Sequence, residues 1–305
     1  MFEQIFDTAL FDSATRAMIP ILLAALGGMI CERAGVFQIA LEGIMLAGAF
    51  AAVAGSYLAL SSGVGVIFGM AAGMLIALAL AYGTVTRRGD SIVLGIALNL
   101  LAMGLTGFLL PQLFDVRGVF QHPRIDGLDR IAIPGLSQIP WVGPVLFDNT
   151  IPTYLALLLV PALWVFLFRS PIGLRLRGVG ERPLAAETLG VSPTVYKYGA
   201  VLASGALAGM AGAQLSLGNV VQFAENMSSG RGWVAVVAVM LGRAHPVGVV
   251  GACALFALAE ALGFRFQGNG LPVQITDALP FVVTLIALVV ARKRFARLLD
   301  LTTAG

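Results

Sequence analysis

Charge is what this sequence has least of. Only 11% of its 305 residues are Asp, Glu, Lys or Arg, while 58% are hydrophobic and the mean hydropathy is +0.92. That balance excludes a soluble globular domain and makes the chain an integral membrane protein. Lysine occurs twice, as Lys197 and Lys293, and neither follows a glycine. No phosphate-binding P-loop can therefore be written, and any ATP has to sit on another subunit. The two cysteines, Cys31 and Cys253, lie far apart in or beside apolar runs, which argues against a disulfide or a metal site. His122 and His245 fall in loops on opposite sides of the membrane, and no serine has a base beside it, so no enzyme site can be assembled. The net charge of +3 is spread over membrane edges rather than gathered into a basic arm, which excludes nucleic acid as a partner. Glu3 and Asp7 stand where a cleavable signal carries basic residues, so the first hydrophobic segment is expected to be retained.

Apolar runs are what the chain has in abundance. They fall at about 14–31, 36–59, 63–86, 91–113, 152–168, 195–217, 230–243, 246–264 and 276–291, each measured against the roughly 20 residues that cross a bilayer. The expected fold is all-α: one polytopic membrane domain, residues 1–305, of about nine transmembrane or re-entrant helices. The run at 230–243 is too short to span comfortably and reads as a broken or re-entrant helix. Residues 1–12, with Phe2, Ile5, Phe6, Ala9 and Leu10 opposite Glu3, Asp7 and Asp12, suit an interfacial helix. Of the 19 Lys and Arg residues, thirteen collect on one side of this arrangement and six on the other. That bias puts the N-terminus outside and the C-terminus in the cytoplasm. The segment 114–151, with Pro123, Pro134, Pro140 and Pro144 and several aspartates, then faces outward as a docking surface or a disordered bridge.

A few polar residues stand inside this apolar background. Glu42 lies within a span, where an ionisable group must face a wet or polar interior; it either lines a path or bonds to a neighbouring backbone carbonyl. Asn99 is a path residue or interhelical glue, on a helix that Asp90 or Ser91 can cap. Glu260 is placed similarly, towards the outer part of its span. Residues 222–233 gather Phe223, Glu225, Asn226, Arg231 and Trp233 on a glycine-hinged outer turn. They could meet an entering polar solute or simply form an Arg231–Glu225 surface pair. Phe37, Phe50 and Phe223 offer rings for stacking, or for ordinary packing. The spacings Gly69/Gly73 and Gly205/Gly209 arise too readily by chance among 37 glycines to define an interface. A faint duplication aligns residues 39–40 with 234–235 and 45–46 with 240–241.

The longest charged, turn-punctuated segment between apolar blocks is 169–194. Within it Pro183 can open a helix and Gly190 can close one in a left-handed cap, with Leu184, Ala185, Thr188 and Leu189 on one stripe. A two-turn helix outside the membrane follows, and it is too short to stand without a partner.

Taken together, Glu32-Arg-Ala-Gly35, residues 39–43 and 96–100, the segment 173–190, and residues 230–246 ending Leu241-Gly-Arg-Ala-His-Pro246 resemble the permeases of ATP-binding-cassette importers for branched-chain amino acids, ribose and nucleosides. The nucleoside branch is nearest. The resemblance implies a type II-like ABC importer permease of the inner membrane. It implies an ATPase dimer that holds the ATP, a second permease subunit, and an extracytoplasmic solute-binding protein. It also implies that Gly180, Glu181, Pro183, Ala185, Ala186 and Gly190 form the helix that couples to the ATPase, with Gly178 where alanine is frequent. The expected cargo is a nucleoside passing Glu42, Asn99, Phe37, Phe223, Glu225, Asn226 and Arg231; ribose or a branched-chain amino acid is the alternative. A proton-coupled carrier using Glu42 and Glu260 is the rival class.

Overall fold

The computed structural model describes residues 7–132, 134, 147–267 and 282–283. Ten α-helices run through them: α1 Thr8–Arg33, α2 Leu41–Ala59, α3 Ser62–Ala81, α4 Ser91–Phe114, α5 Ile151–Arg169, α6 Pro171–Glu181, α7 Pro183–Thr188, α8 Pro193–Ala213, α9 Arg231–Leu241 and α10 Pro246–Gln267. Seven are long and apolar enough to cross a membrane, counting the π-turns that extend α3 to Thr86 and α8 to Val220. The expected span at 276–291 lies outside the described residues except for 282 and 283. Residues 8–12 run straight into α1, and the rest of the stretch expected as an interfacial helix, residues 1–6, also lies outside them.

α1 is the central rod, with Leu22, Leu23, Leu26 and Met29 wholly buried and with α8, α9 and α10 packed around it. The exposed apolar side chains concentrate instead on α3, α4 and α5, among them Leu75, Leu100, Phe108 and Leu158, as lipid-facing helices require. Asp90 is the residue that caps α4: its Oδ1 accepts from the backbone N–H of Ile92 at 2.8 Å and of Val93 at 3.0 Å.

Glycine allows close helix contacts. A Cβ on Gly73 would lie 2.2 Å from the carbonyl oxygen of Gly205, and one on Gly209 would lie 2.3 Å from that of Gly69. The two spacings from which the sequence supported no interface are therefore one seam between α3 and α8, with Gly48 of α2 closing on the same place. Chance spacing and functional spacing look alike along a chain; only the pairing separates them.

Contacts define two ends. At one, Arg33 Nε donates to the carbonyl of Ala244 at 2.7 Å, and Gly35 lies against Gly180. At the other, Ser56 Oγ exchanges hydrogen bonds with the backbone of Asp126 at 2.8 and 2.9 Å, and Asp126 Oδ2 accepts from Ser62 N at 2.8 Å. The described part of the proline-rich segment is thus folded down on the bundle. One short antiparallel pair fastens it, β1 Val119–Phe120 with β4 Phe223–Ala224, and a second, β2 Ile131–Ala132 with β3 Asp148–Asn149, joins two stretches of the segment to each other. Phe114 stacks on Phe120 with ring centroids 4.0 Å apart.

One sequence expectation fails in register. Residues 39–40 lie just before α2, whereas 234–235 lie a turn inside α9, so that alignment does not match equivalent positions. What the two regions do share is a non-helical lead-in followed by a helix that starts inside the protein.

Candidate functional site

Two places carry chemistry, one deep in the bundle and one on its surface. Glu42, in the first turn of α2, lies about 21 Å along that helix from Ser56 at one end of the molecule. From the other end it is separated by about the length of α9, roughly 16 Å. Its two carboxylate oxygens accept from the start of α9: Oε1 from Gly230 N at 2.9 Å and Oε2 from Gly232 N at 2.7 Å. The sequence weighed a path residue against a bond to a neighbouring carbonyl; the actual partners are amide N–H groups 188 and 190 residues away. Gly230 has φ +85°, and a Cβ on Gly232 would come within 2.4 Å of the Glu42 backbone, so both positions demand glycine.

Asn99 of α4 fixes the other side of the junction. Its Oδ1 accepts from Gly43 N at 2.7 Å and its Nδ2 donates to the carbonyl of Ile39 at 3.0 Å, so it joins α4 to the beginning of α2. Arg231 was expected on an outer turn, either meeting an entering solute or pairing with Glu225. Instead it opens α9, with Nη2 2.6 Å from Glu260 Oε1 on α10 and Nη1 donating to the carbonyl of Met227 at 3.4 Å. Both side chains are mostly buried, and the pair offsets part of the cost of holding a charge there.

The remaining path candidates are scattered. Phe37 is half-buried and lines a narrow cleft with Glu32, Leu41 and Val236. Phe223 is 1% exposed, and its ring meets that of Phe50 edge-on at 5.2 Å, so it is spent on packing. Glu225 is exposed and pairs with Gly118, whose N–H donates to Glu225 Oε1 at 3.0 Å and whose carbonyl accepts from Glu225 N at 2.8 Å. Asn226 is an exposed turn residue at φ +57°. Glu42, Asn99 and Arg231 come together; Phe223, Glu225 and Asn226 form part of the outer layer.

Sequence reasoning passed over Gln38 and Ser228. Gln38 is 3% exposed; its Nε2 donates to Ser204 Oγ at 3.3 Å, and its Oε1 meets no partner among the described residues. Ser228, in the turn before α9, is wholly buried with its Oγ likewise unmatched among them. Gln38 could have been found, since it interrupts the apolar run of residues 36–41.

At the surface, the segment expected to turn before the short helix is itself helical: α6 runs from Pro171, with Ser170 Oγ accepting from Gly173 N at 3.0 Å, and α7 follows after Arg182. Gly190, at φ +77°, closes α7 as expected. Glu181, Pro183 and Ala185 are exposed, whereas Gly180 is pressed against the backbone of Arg33, 2.3 Å from where its Cβ would stand. Ala186 is buried at 9% exposure, so it faces the bundle, while Leu184 and Leu189 are 77% and 82% exposed. The guanidinium carbon of Arg177 lies 4.8 Å over the ring of Phe168, with that of Arg33 at 5.7 Å, which fastens α6 to the ends of α5 and α1. A cavity of about 470 Å³ separates α7 from the ends of α3 and α4, lined by Leu184, Glu187, Thr84, Arg88 and Lys197.

These features can be set beside known proteins. A family model described as branched-chain amino acid transport system / permease component matches residues 10–288. The guanosine ABC transporter permease protein NupQ of Bacillus subtilis is 35% identical over 283 residues, covering 88% of this chain and 87% of that one. The nucleoside ABC transporter permease protein NupC of Lactococcus lactis shows the same identity and coverage. A Haloferax volcanii protein that carries the name of a glucose ABC transporter permease is 37% identical, over 87% of this chain and 80% of its own. Among solved structures, an inward-facing ABC transporter superposes with a TM-score of 0.53 over 93% of this chain and 85% of its own, at 14% identity. At that identity the likeness is one of fold.

Proposed function

The chain belongs to the family of branched-chain amino acid transport system permease components, and from that premise we propose that it carries a nucleoside inward as the membrane subunit of an ATP-binding-cassette importer. It is a multi-pass transport component, not an enzyme. The observation that carries the nucleoside reading is the 35% identity, along nearly the whole chain, to permeases of guanosine and nucleoside transporters. ATP is hydrolysed by a partner ATPase dimer seated on α7, whose Leu184 and Leu189 project from a helix held rigidly by Gly180 and Ala186. Glu181, Pro183 and Ala185 contribute the rest of that exposed face, and Gly190 ends it. The arginine-rich end of the bundle is cytoplasmic and the N-terminus outside. A second permease subunit completes the path, and a solute-binding protein delivers cargo to the outer segment 114–151. The path passes the exposed outer residues Glu225 and Asn226, then Arg231, Glu42, Asn99 and Phe37, while Phe223, buried against Phe50, packs behind it.

The rival proton-coupled carrier needs a carboxylate able to exchange its proton. Glu42 is engaged by two N–H groups and Glu260 by Arg231, which leaves that reading without a free relay. Uptake of labelled guanosine, ribose and leucine in matched cells with and without the chain, repeated under ATP depletion at clamped membrane potential, tests the proposal. Chain-dependent and ATP-dependent entry of guanosine alone is expected. Entry of ribose or leucine instead overturns the cargo, and uptake that survives ATP loss overturns the mechanism.

A further inference from the structure

The start of a helix holds backbone N–H groups without intrahelical partners and the positive end of the helix dipole, so it attracts anions. In the low-polarity interior of a membrane protein such a place is the natural seat for a solute's carboxylate or phosphate. α9 starts in this way at mid-depth, with the N–H groups of Gly230 and Gly232 directed at one point. That point is already filled by the carboxylate of Glu42. Because Glu42 stands in the first turn of α2, its charge lies near the beginnings of two helices at once. Asn99 holds the α2 side in place, and the required glycine at 232 lets the two backbones close on each other. Arg231, beside the seat in the chain, is committed to Glu260.

We propose that Glu42 is a cargo-selecting residue: the protein's own carboxylate occupies the anion seat at the start of α9 and confines transport to solutes that bring no negative group of their own. This rests on the importer reading and narrows it. A nucleoside or a sugar satisfies the condition. A nucleotide, a sugar phosphate or an amino acid, whose carboxylate would need that seat, does not. Two charge-assisted hydrogen bonds hold Glu42 there, and an incoming anion would have to displace them against the repulsion of the carboxylate itself.

The test uses the complete transporter carrying Glu42→Ala or the isosteric Glu42→Gln. Melting of the purified complex is followed against sulfate and formate, formate being the anion that the Ala variant has lost. Guanosine uptake is followed against guanosine 5′-monophosphate. Wild type should ignore all three anions. The Ala variant, whose seat is empty, should gain anion-dependent stabilisation, and the uptake of both variants, which lack the repelling charge, should become about tenfold or more sensitive to the monophosphate, the factor expected for hydrogen bonds to a charged group. Should the Ala variant fail to assemble, recovery of the complex in formate supports the proposal, and no recovery, together with a Gln variant whose uptake stays insensitive to the monophosphate, overturns it. An assembled Ala variant indifferent to anions also overturns it, as does a wild type that accepts the monophosphate as readily as guanosine. A wild type that carries no nucleoside, with an Ala variant that still responds to formate, would overturn the cargo reading and leave the role of Glu42 standing.

Discussion

α9 and α7 are both short helices, of 11 and 6 residues, and they meet their environments in opposite ways. α9 begins deep in the bundle, where the backbone groups at its start find no bulk water; the chain supplies Glu42 for the N–H groups of Gly230 and Gly232. α7 begins at the surface with Pro183, which has no N–H to satisfy, and turns two leucines outward. The inner helix finds its partners within the chain, whereas the outer one leaves Leu184 and Leu189 exposed.

The hardest way to break the inner helix is Gly232→Val. Its side chain would have to occupy space within 2.4 Å of the Glu42 backbone, and neither helix can yield without losing the carboxylate contact. We expect a loss of at least about 3 kcal/mol, the upper range for overpacking a close contact, read as lost yield and lowered melting temperature of the purified subunit. A well-folded Gly232→Val protein would mean that the α2–α9 junction is soft. The outer helix should break differently. Leu184→Glu with Leu189→Glu leaves the spans folded and monodisperse but abolishes co-purification of the ATPase and ATP-driven uptake. Ala186→Glu, one position away in character, should instead damage the subunit itself, because Ala186 faces inward. Normal ATPase capture by the double leucine variant would remove α7 from the coupling role.

The outer helix was far more legible in the sequence than the inner junction. Pro183 and Gly190 are local punctuation, and local punctuation can be read from one strand of text. So could most spans: runs expected at 63–86 and 91–113 appear as Ser62–Thr86 and Ser91–Phe114. The short run at 230–243 emerges as α9, a partial helix behind a non-helical lead-in. α6 was missed because Gly173, Gly178 and Gly180 look like turn residues, yet Gly173 and Gly180 are needed for close approach to α5 and to Arg33. The partners of Glu42 and Arg231 were beyond reach for another reason. Nothing in the local pattern tells a carboxylate at 42 that its N–H donors lie at 230 and 232, or tells Arg231 to choose Glu260 over the nearer Glu225. Ionisable residues in the membrane are easily noticed, but their pairing is a property of the assembled bundle.

A milder cut sharpens the same contrast. Asn99→Ala leaves Gly43 N–H and the Ile39 carbonyl without their partner while α2, α4 and α9 remain. The expected cost is about 1–2 kcal/mol, typical of interhelical hydrogen bonds in membranes, seen as a modest drop in melting temperature. If Asn99 only positions Glu42, guanosine uptake by the assembled variant falls together with a new sensitivity to guanosine 5′-monophosphate. A drop in uptake without that sensitivity would make Asn99 a cargo contact in its own right.

Glu225→Gln should do least. Glu225 is exposed, and what it does in the structure is accept from Gly118 N, which a glutamine oxygen does equally well. The stability change should stay within about 0.5 kcal/mol, as for surface substitutions away from special features. Uptake separates the two roles this residue can have. If Glu225 merely fastens β4 to β1, the glutamine keeps the fastening and uptake is unchanged. If its charge meets cargo entering from outside, uptake falls although the β1–β4 pairing survives, and the selecting chemistry then begins at the outer mouth, before any solute reaches Glu42.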